Sequence, residues 1–290
     1  MVNENLKLDT PQHKWGKRGY LNSEFKIFHL MDLSSDEFEY HYHDFDKITI
    51  FLKGKVRYII EGRAYDLEPY DIVLINHNEI HKPLIDNSVP YERIIVYISP
   101  NFMEAYKTAS YDLNYCFEKA YKEHSSVLRI HSLEKSGLFQ ITTTLEHSFS
   151  DTGYANELYR QVLFLEFMIQ LNRAALKQKL EYINTSSCNH KITEIMNYIN
   201  VNLTSDLSIE HLSKIFYISR HYMMRLFKSE TGYTIGNYIT HKRLTLANQM
   251  MQKDIPMTQI CFDCGFKDYS TFYRAYKNLY HKSPQSTHLI

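Results

Sequence analysis

Leu207–Lys228 reads LSIEHLSKIFYISRHYMMRLFK, and Ile255–Lys277 reads IPMTQICFDCGFKDYSTFYRAYK. The second stretch is a degenerate copy of the first. In the leading segments Ile209, Leu212 and Phe216 align with Met257, Ile260 and Cys264 at an offset of 48 residues. In the following segments Ser219, Arg225, Phe227 and Lys228 align with Asp268, Arg274, Tyr276 and Lys277 at an offset of 49. The one-residue difference falls in the turn, where insertions are tolerated. Each copy therefore predicts a short helix, a tight turn and a longer helix. Ser219 and Asp268 stand where the longer helix needs an N-cap acceptor.

The longer helices divide by face. In the first, Met223, Leu226 and Phe227 lie together, opposite His221, Met224, Arg225 and Lys228. In the second, Phe272, Ala275, Tyr276 and Leu279 lie opposite Ser270, Tyr273, Arg274 and Lys277. One face packs; the other projects cationic, hydrogen-bonding and flat side chains. That is how a helix-turn-helix builds the helix that enters the major groove. A basic outer face on a single hairpin is usually only solvated, but two copies with matched caps and matched Arg and Lys point to DNA. Between them, Ile235–Met251 predicts one long helix with Tyr238, Leu244, Ala247 and Met251 inward, able to hold the two readers apart. Consecutive major grooves on one side of DNA lie about 34 Å apart, so one chain can grip adjacent turns.

Charge follows the same division. The chain of 290 residues has formal charge +0 from 33 basic and 33 acidic side chains. Residues 191–290 carry 12 basic and 7 acidic, net +5, against 21 and 26 in residues 1–190. The basic part is the part with the repeat.

At 44% hydrophobic and 23% charged residues, the chain has an ordinary globular composition and room for two domains. Four scattered cysteines make no disulfide framework, and the N-terminus lacks the apolar stretch of a signal peptide. The greasiest helical stretch, Val162 to Leu171, is broken by Glu166 and Gln170, which excludes a membrane span. A cytoplasmic location with no membrane partner is expected. Cys261 and Cys264 have C-x-x-C spacing but occupy core positions of a short helix without a second ligand pair, so they are expected to be small buried residues.

From Phe25 to Ser99 the apolar period is two. Phe25–Met31, Lys47–Leu52, Val56–Ile60, Arg63–Leu67, Asp71–Ile75 and Tyr91–Ile98 predict strands, with turns at Lys53-Gly54 and Glu61-Gly62 and breaks at Pro83 and Pro90. An antiparallel sandwich or small barrel is implied. After Pro100 the period becomes 3.6, predicting helices over Phe102–Tyr106, Tyr115–Lys122, Ser136–Ser150 and Asn156–Lys179. In the last, Leu158, Val162, Leu165, Ile169 and Leu176 form one stripe, widened by Leu163, Phe164, Phe167 and Met168. So broad a stripe buries either against the strands and a second subunit or wholly within one subunit. Residues 181–190, EYINTSSCNH, predict a polar linker between a first domain of residues 1–180 and a second of 191–290.

The segments LSIEHLSKIFYIS, YMMRLFKSETG, ITHKRLTLANQMM and ICFDCGFKDYSTFYRAYK make Lys191–Ile290 resemble the DNA-binding domain of the AraC/XylS family of transcription regulators. The resemblance implies two recognition helices in successive major grooves, with His221, Met224 and Arg225 at the first and Tyr269, Ser270, Tyr273 and Arg274 at the second. Lys228 and Lys277 are expected on phosphate. It also implies RNA polymerase as a partner, activation as the usual direction, and a homodimer formed by the first domain. Three departures stand out: Pro256 replaces the usual Ser/Thr cap, Met224 is apolar at a reading position, and the ending HKSPQST lacks the customary Tyr-Arg.

The segments HYHDFDKITIFLKGKVRYIIEGRAYDLEPYDIVLINHNEIHKP and VPYERIIVYIS resemble the cupin-like sensor domain of that family. The resemblance implies an α+β chain: a cupin-like antiparallel β-barrel followed by helices, then an all-α domain with two helix-turn-helix motifs. A cupin metal site needs two His of an H-x-H strand, a Glu four residues on and a later His. His41, His43 and His81 fit, but the Glu position holds Lys47, with Asp46 beside it. An ammonium offers donors and no lone pair, so no metal or other cofactor is expected. Instead His41, His43, Lys47 and His81, with Tyr58 and Arg93 nearby, are expected to bind a small polar or anionic effector such as a sugar or carboxylate. A regulator without enzymatic activity follows. The alternative is a metal-dependent isomerase or oxygenase fused to a DNA-binding tail.

Overall fold

The computed structural model describes residues 19, 21–33, 38–176, 180–185, 189–251 and 255–284. They fall into two compact units, one of residues up to 60 together with 64–187, the other of Glu61–Arg63 with 188–290.

The first unit has seven strands before its first helix: β1 (Phe25–Asp32), β2 (Asp46–Lys53), β3 (Val56–Ile60), β4 (Arg63–Asp66), β5 (Ile72–Ile75), β6 (His81–Ile85) and β7 (Tyr91–Ile98). Helices α1 (Pro100–Ala105) and α2 (Tyr115–Lys122) precede β8 (Val127–Ile130), and α3 (Gly137–Ser148) and α4 (Asn156–Leu176) precede β9 (Leu180–Tyr182). A large sheet runs β1-β7-β2-β5-β8-β9 and a small one β4-β3-β6. The β3–β4 hairpin turns at Glu61-Gly62, both at positive φ (47° and 74°), as a type I′ turn requires. The sheets are open, so the expected barrel is a two-sheet sandwich among the described residues.

Strand alternation explains the two cores. Ile48 and Ile50 of β2, Ile72 and Leu74 of β5, and Ile94, Val96 and Ile98 of β7 face the helices, where Phe164, Phe167, Met168 and Leu171 of α4 cover them. Each such side chain contributes about 1.5–3 kcal/mol on burial. The opposite face of the large sheet, with Phe51, Val73, Ile75 and Tyr91, packs on Val56, Tyr58, Ile60 and Tyr65 of the small sheet. By the same alternation Lys47, Thr49 and Arg93 point between the sheets. Every one of them is buried.

Three expectations are corrected here. Pro83 does not break the chain; it lies within β6, an edge strand of the small sheet, where a missing N–H costs no ladder bond. The region after Pro100 is not wholly helical, because β8 and β9 extend the large sheet. Residues 181–190 are not linker throughout: Glu181 and Tyr182 pair with Arg129 and Leu128, and α5 begins at His190. Lys177–Lys179 of the expected last helix and Ser186–Cys188 of the expected linker lie outside the described residues.

The second unit is helical: α5 (His190–Val201), α6 (Ile209–Ile215), α7 (Arg220–Thr231), α8 (Ile235–Met250), α9 (Met257–Asp263) and α10 (Tyr269–Tyr280). Ser208, Ser219, Thr234 and Asp268 cap α6, α7, α8 and α10 through their side chains, while Pro256 gives α9 no side-chain cap. The turn after each short helix holds one left-handed residue, Tyr217 at φ 53° and Gly265 at φ 92°. Arg243 of α8 donates to Leu203 O (2.8 Å) and Ser205 O (3.0 Å), tying the long helix to the loop before α6. Gly265 sits against that same loop and arginine: a Cβ there would lie 2.2 Å from Leu203 O and 2.8 Å from Arg243 Nε. The two helix-turn-helix motifs are thus locked to one another through a clasp that no local pattern announces.

Candidate functional site

In α7, Met223 and Phe227 are fully buried, and His221, Arg225 and Lys228 are exposed, as is Met224 at 39%. In α10, Phe272, Tyr276 and Leu279 are buried, Ser270, Arg274 and Lys277 are exposed, and Tyr269 and Tyr273 are half-buried. The observed division follows the one read from the sequence, except that Leu226 and Ala275, expected inward, and Tyr273, expected outward, are half-buried. Each reading helix starts on a satisfied cap: Tyr222 N–H donates to Ser219 Oγ at 3.4 Å and Thr271 N–H to Asp268 Oδ1 at 2.8 Å. The hydrogen bonds from Thr271 hold the Asp268 carboxyl below its ordinary range. A capped first turn points its N–H groups outward, where phosphate is also attracted.

The guanidinium of Arg225 lies 6.0 Å from the ring centroid of Tyr222, a half-exposed neighbour absent from the sequence-based set. Its signal was the spacing of three on one helix face. Arg274 Nε donates to Ser270 O at 3.3 Å, one turn back on its own helix. The connecting α8 has 16 residues, a rod about 24 Å long. Cys261 and Cys264 are fully buried, and burial pushes the Cys264 thiol up to about 12, so neither acts as a ready thiolate.

The second candidate lies between the sheets. His41 and His81 form a two-residue antiparallel bridge, each N–H donating to the other's carbonyl at 3.0 and 2.9 Å. Ring centroids are 4.3 Å apart for His41–His81, 4.9 Å for His43–His81 and 5.2 Å for His41–His43. One ring nitrogen of each lies within 4.8 Å of the other two. Lys47 Nζ donates to Tyr58 Oη at 3.2 Å, and the Tyr58 ring stacks 6.1 Å from that of His81. So His41, His43, Lys47 and His81 come together, all buried, with Tyr58 among them. Arg93 is buried too, and is held by Asp32 (2.8 Å) and Tyr91 O (3.0 Å).

Desolvation and then the nearby Arg93 bring the Lys47 ammonium down to about 7. Burial, with His41, His43 and Lys47 around it, holds His81 well below its ordinary value. Asp46 is not part of the cluster: its carboxylate accepts from His77 N–H (2.7 Å) and pairs with His77 Nδ1 (2.8 Å), on the other side of the strand. Thr49 was missed by sequence reasoning, although its phase, two residues past Lys47, could have found it. Its Oγ1 is buried with no partner among the described residues. A separate cleft of about 540 Å³, lined by His29, Glu92, Glu146 and His147 among others, opens on the helix-covered side of the large sheet. There His29 is bracketed by Glu146 and Glu92, both at 3.0 Å.

A metal is what a cupin-like site would imply, and the residues fit one in part. His81 Nε2 is a buried lone pair without a partner among the described residues, whereas the fourth position holds Lys47 instead of a carboxylate.

Among the described residues no helix is long and apolar enough to cross a membrane. Among curated proteins, the chain is 26% identical over 248 residues to the probable transcriptional regulator LumQ of Photobacterium leiognathi, covering 84% of this chain and 90% of that one. It is 24% identical over 267 residues to the HTH-type transcriptional activator RhaS of Mannheimia succiniciproducens, covering 86% and 88%. Among solved structures, ToxT from Vibrio cholerae aligns over 92% of this chain and 98% of its own, at 14% identity and a TM-score of 0.36. Residues 30–163 match the AraC-like ligand binding domain and residues 212–288 match a helix-turn-helix domain. With a sensor sandwich and a duplicated, capped DNA-reading helix in one chain, the protein belongs to the AraC family of transcriptional regulators.

Proposed function

We propose that the protein is a cytoplasmic, homodimeric activator that reads two consecutive major grooves with α7 and α10 and answers to a small polar or anionic effector between its sheets. The carrying observation is the paired outer face of those helices, Arg225 with Lys228 and Arg274 with Lys277, each on a capped helix with its opposite side buried. His221, Met224 and Arg225 take the first groove, and Tyr269, Ser270, Tyr273 and Arg274 the second. Lys228 and Lys277 hold phosphate. Arginine donates two parallel hydrogen bonds to guanine O6 and N7, worth about 1–3 kcal/mol of discrimination. Met224 offers only apolar contact, suited to a thymine methyl.

His41, His43, Lys47 and His81 supply the polar lining of the effector site, a binding and not a catalytic role. Coupling to the DNA-reading unit requires the effector to favour one of two arrangements of the protein. Dimerisation through α4 is supported by its outer stripe: Leu158, Val162, Ile169 and Leu176 are 61%, 53%, 41% and 59% exposed, while the opposite face is buried. Activation, with RNA polymerase as the partner, is supported by the activator RhaS among the relatives.

The test separates reading from gripping. Arg225→Ala is expected to lose preference at one base position while keeping most non-specific affinity. Lys228→Ala is expected to weaken all sequences alike and to reduce the salt slope by about one unit. Fluorescence-anisotropy titrations of the full chain on operator and random duplexes across a salt series check both. Equal loss on both duplexes for both variants contradicts the assignment.

A further inference from the structure

We propose that His41, His43 and His81 form a three-imidazole site for a divalent first-row transition metal of the zinc class, with Lys47 and Tyr58 beside it to receive an anionic donor from the effector. The metal site stands on its own geometry; only the fourth, effector-borne ligand rests on the effector reading given above. It departs from the sequence expectation, which took Lys47 to exclude an ion.

The local hydrogen bonds set the ligand atoms. His41 Nδ1 lies 2.8 Å from Glu39 O and His81 Nδ1 2.9 Å from Glu79 O. A carbonyl only accepts, so each Nδ1 carries a proton, and the lone pair that a metal would take is the one at Nε2. Both rings are oriented by the carbonyl two residues back, the arrangement by which proteins fix the tautomer of metal-bound histidines. The backbone bridge between His41 and His81 then holds the two rings in a fixed register.

His81 is 0% exposed and its Nε2 has no partner among the described residues. An unsatisfied buried acceptor is costly, and an ion bound to its lone pair removes that penalty. The three candidate nitrogens lie within 4.8 Å of one another. A tetrahedral ion with bonds of 2.0–2.1 Å sets its ligands about 3.3 Å apart, a closure within reach of small ring rotations. Lys47 Nζ donates to Tyr58 Oη at 3.2 Å, which ties it to the tyrosine and leaves it further donors for an anion. Asp46, beside Lys47, is engaged by His77, and among the described residues the group of potential ligands within reach of one another holds three histidines and no carboxylate. The donor set is therefore all nitrogen, which favours zinc, cobalt, nickel or copper over magnesium or calcium.

The experiment titrates Zn2+ calorimetrically, and Co2+ by its visible absorption, into untagged, metal-stripped full-length protein. One ion per chain is expected, with the intense cobalt bands of a site of low coordination number. Loss of an outer hydrogen-bonding partner alone weakens such sites 10–100-fold, so His41→Ala and His81→Ala are each expected to weaken binding by more than about 100-fold. His77→Ala is expected to bind as the parent does. Circular dichroism and the thermal midpoint establish that each variant folds. Should an alanine variant not fold, the parent's cobalt spectrum decides: weak octahedral bands, or far less than one ion per chain, overturn the proposal. Unchanged affinity in folded His81→Ala overturns it as well. Metal-free protein that binds a carboxylate or sugar through His41 overturns the metal site and leaves the effector reading intact. Protein that binds zinc stoichiometrically and no carboxylate or sugar supports the metal site and removes the effector-borne ligand.

Discussion

Gly265→Ala is expected to destabilise the helical unit by about 2–5 kcal/mol. The new Cβ would lie 2.2 Å from Leu203 O, 2.8 Å from Arg243 Nε and 3.1 Å from Arg243 Cζ. None of these is a loose end, because Arg243 Nε is itself bonded to Leu203 O at 2.8 Å. The backbone at Gly265 also has φ 92°, which an L side chain resists. Overpacking costs about 1–3 kcal/mol and a left-handed non-glycine residue a further 1–2 kcal/mol or so. Against a total stability of about 5–15 kcal/mol for a domain, that is enough to loosen the clasp between the two motifs. Gly236 in α8 is the control. A Cβ there meets nothing within 4 Å, and Gly236 lies in the first turn of α8, so Gly236→Ala is expected to leave stability unchanged or slightly raised. Urea unfolding followed by far-ultraviolet circular dichroism distinguishes the two. An unchanged midpoint for Gly265→Ala contradicts the clasp.

Asp71→Ala is expected to destabilise the first unit by about 3 kcal/mol, the low end for breaking one side of a buried ion pair. Asp71 is 0% exposed and accepts from Arg129 Nε (2.7 Å), Arg129 Nη2 (2.8 Å) and Glu68 N–H (2.8 Å). Removing the carboxylate strands three donors and frees the end of β5 from β8. The low end applies because the Arg129 side chain is 21% exposed and keeps Glu68 at 2.9 Å. Asp71→Asn, which keeps the shape and one acceptor oxygen, is expected to recover part of the loss. Thermal unfolding of both variants checks this, and equal midpoints for Asp71→Ala and the parent would show that the pair contributes nothing.

The parts legible in the sequence are those written locally. Period-two alternation placed five of the strands that build the sandwich core, from Lys47–Leu52 to Tyr91–Ile98, and caps such as Ser219 and Asp268 marked where the reading helices begin. What was not legible depends on partners distant in the chain. The run Val127-Leu128-Arg129-Ile130 is too short to show a period, and it becomes a strand because β5 offers an edge. Pro83 reads as a break until β6 is seen to be an edge strand. The close approach of Gly265 to the Leu203 loop spans 62 positions, and a glycine alone does not name its neighbour. Within the interior site, Asp46 stood beside Lys47 as a candidate donor. Neighbours on a strand face opposite ways, so the carboxylate went to His77 and Thr49 took the inward place.

The most direct measurement of two-groove reading is a base-resolved binding profile, obtained by selection from randomised duplexes, for the parent, Arg225→Ala and Arg274→Ala. Each variant is expected to relax preference at a single position, the two positions separated by about 10 base pairs, one helical turn. Relaxation of the same position by both variants, or a uniform loss of affinity with every preference retained, would contradict it.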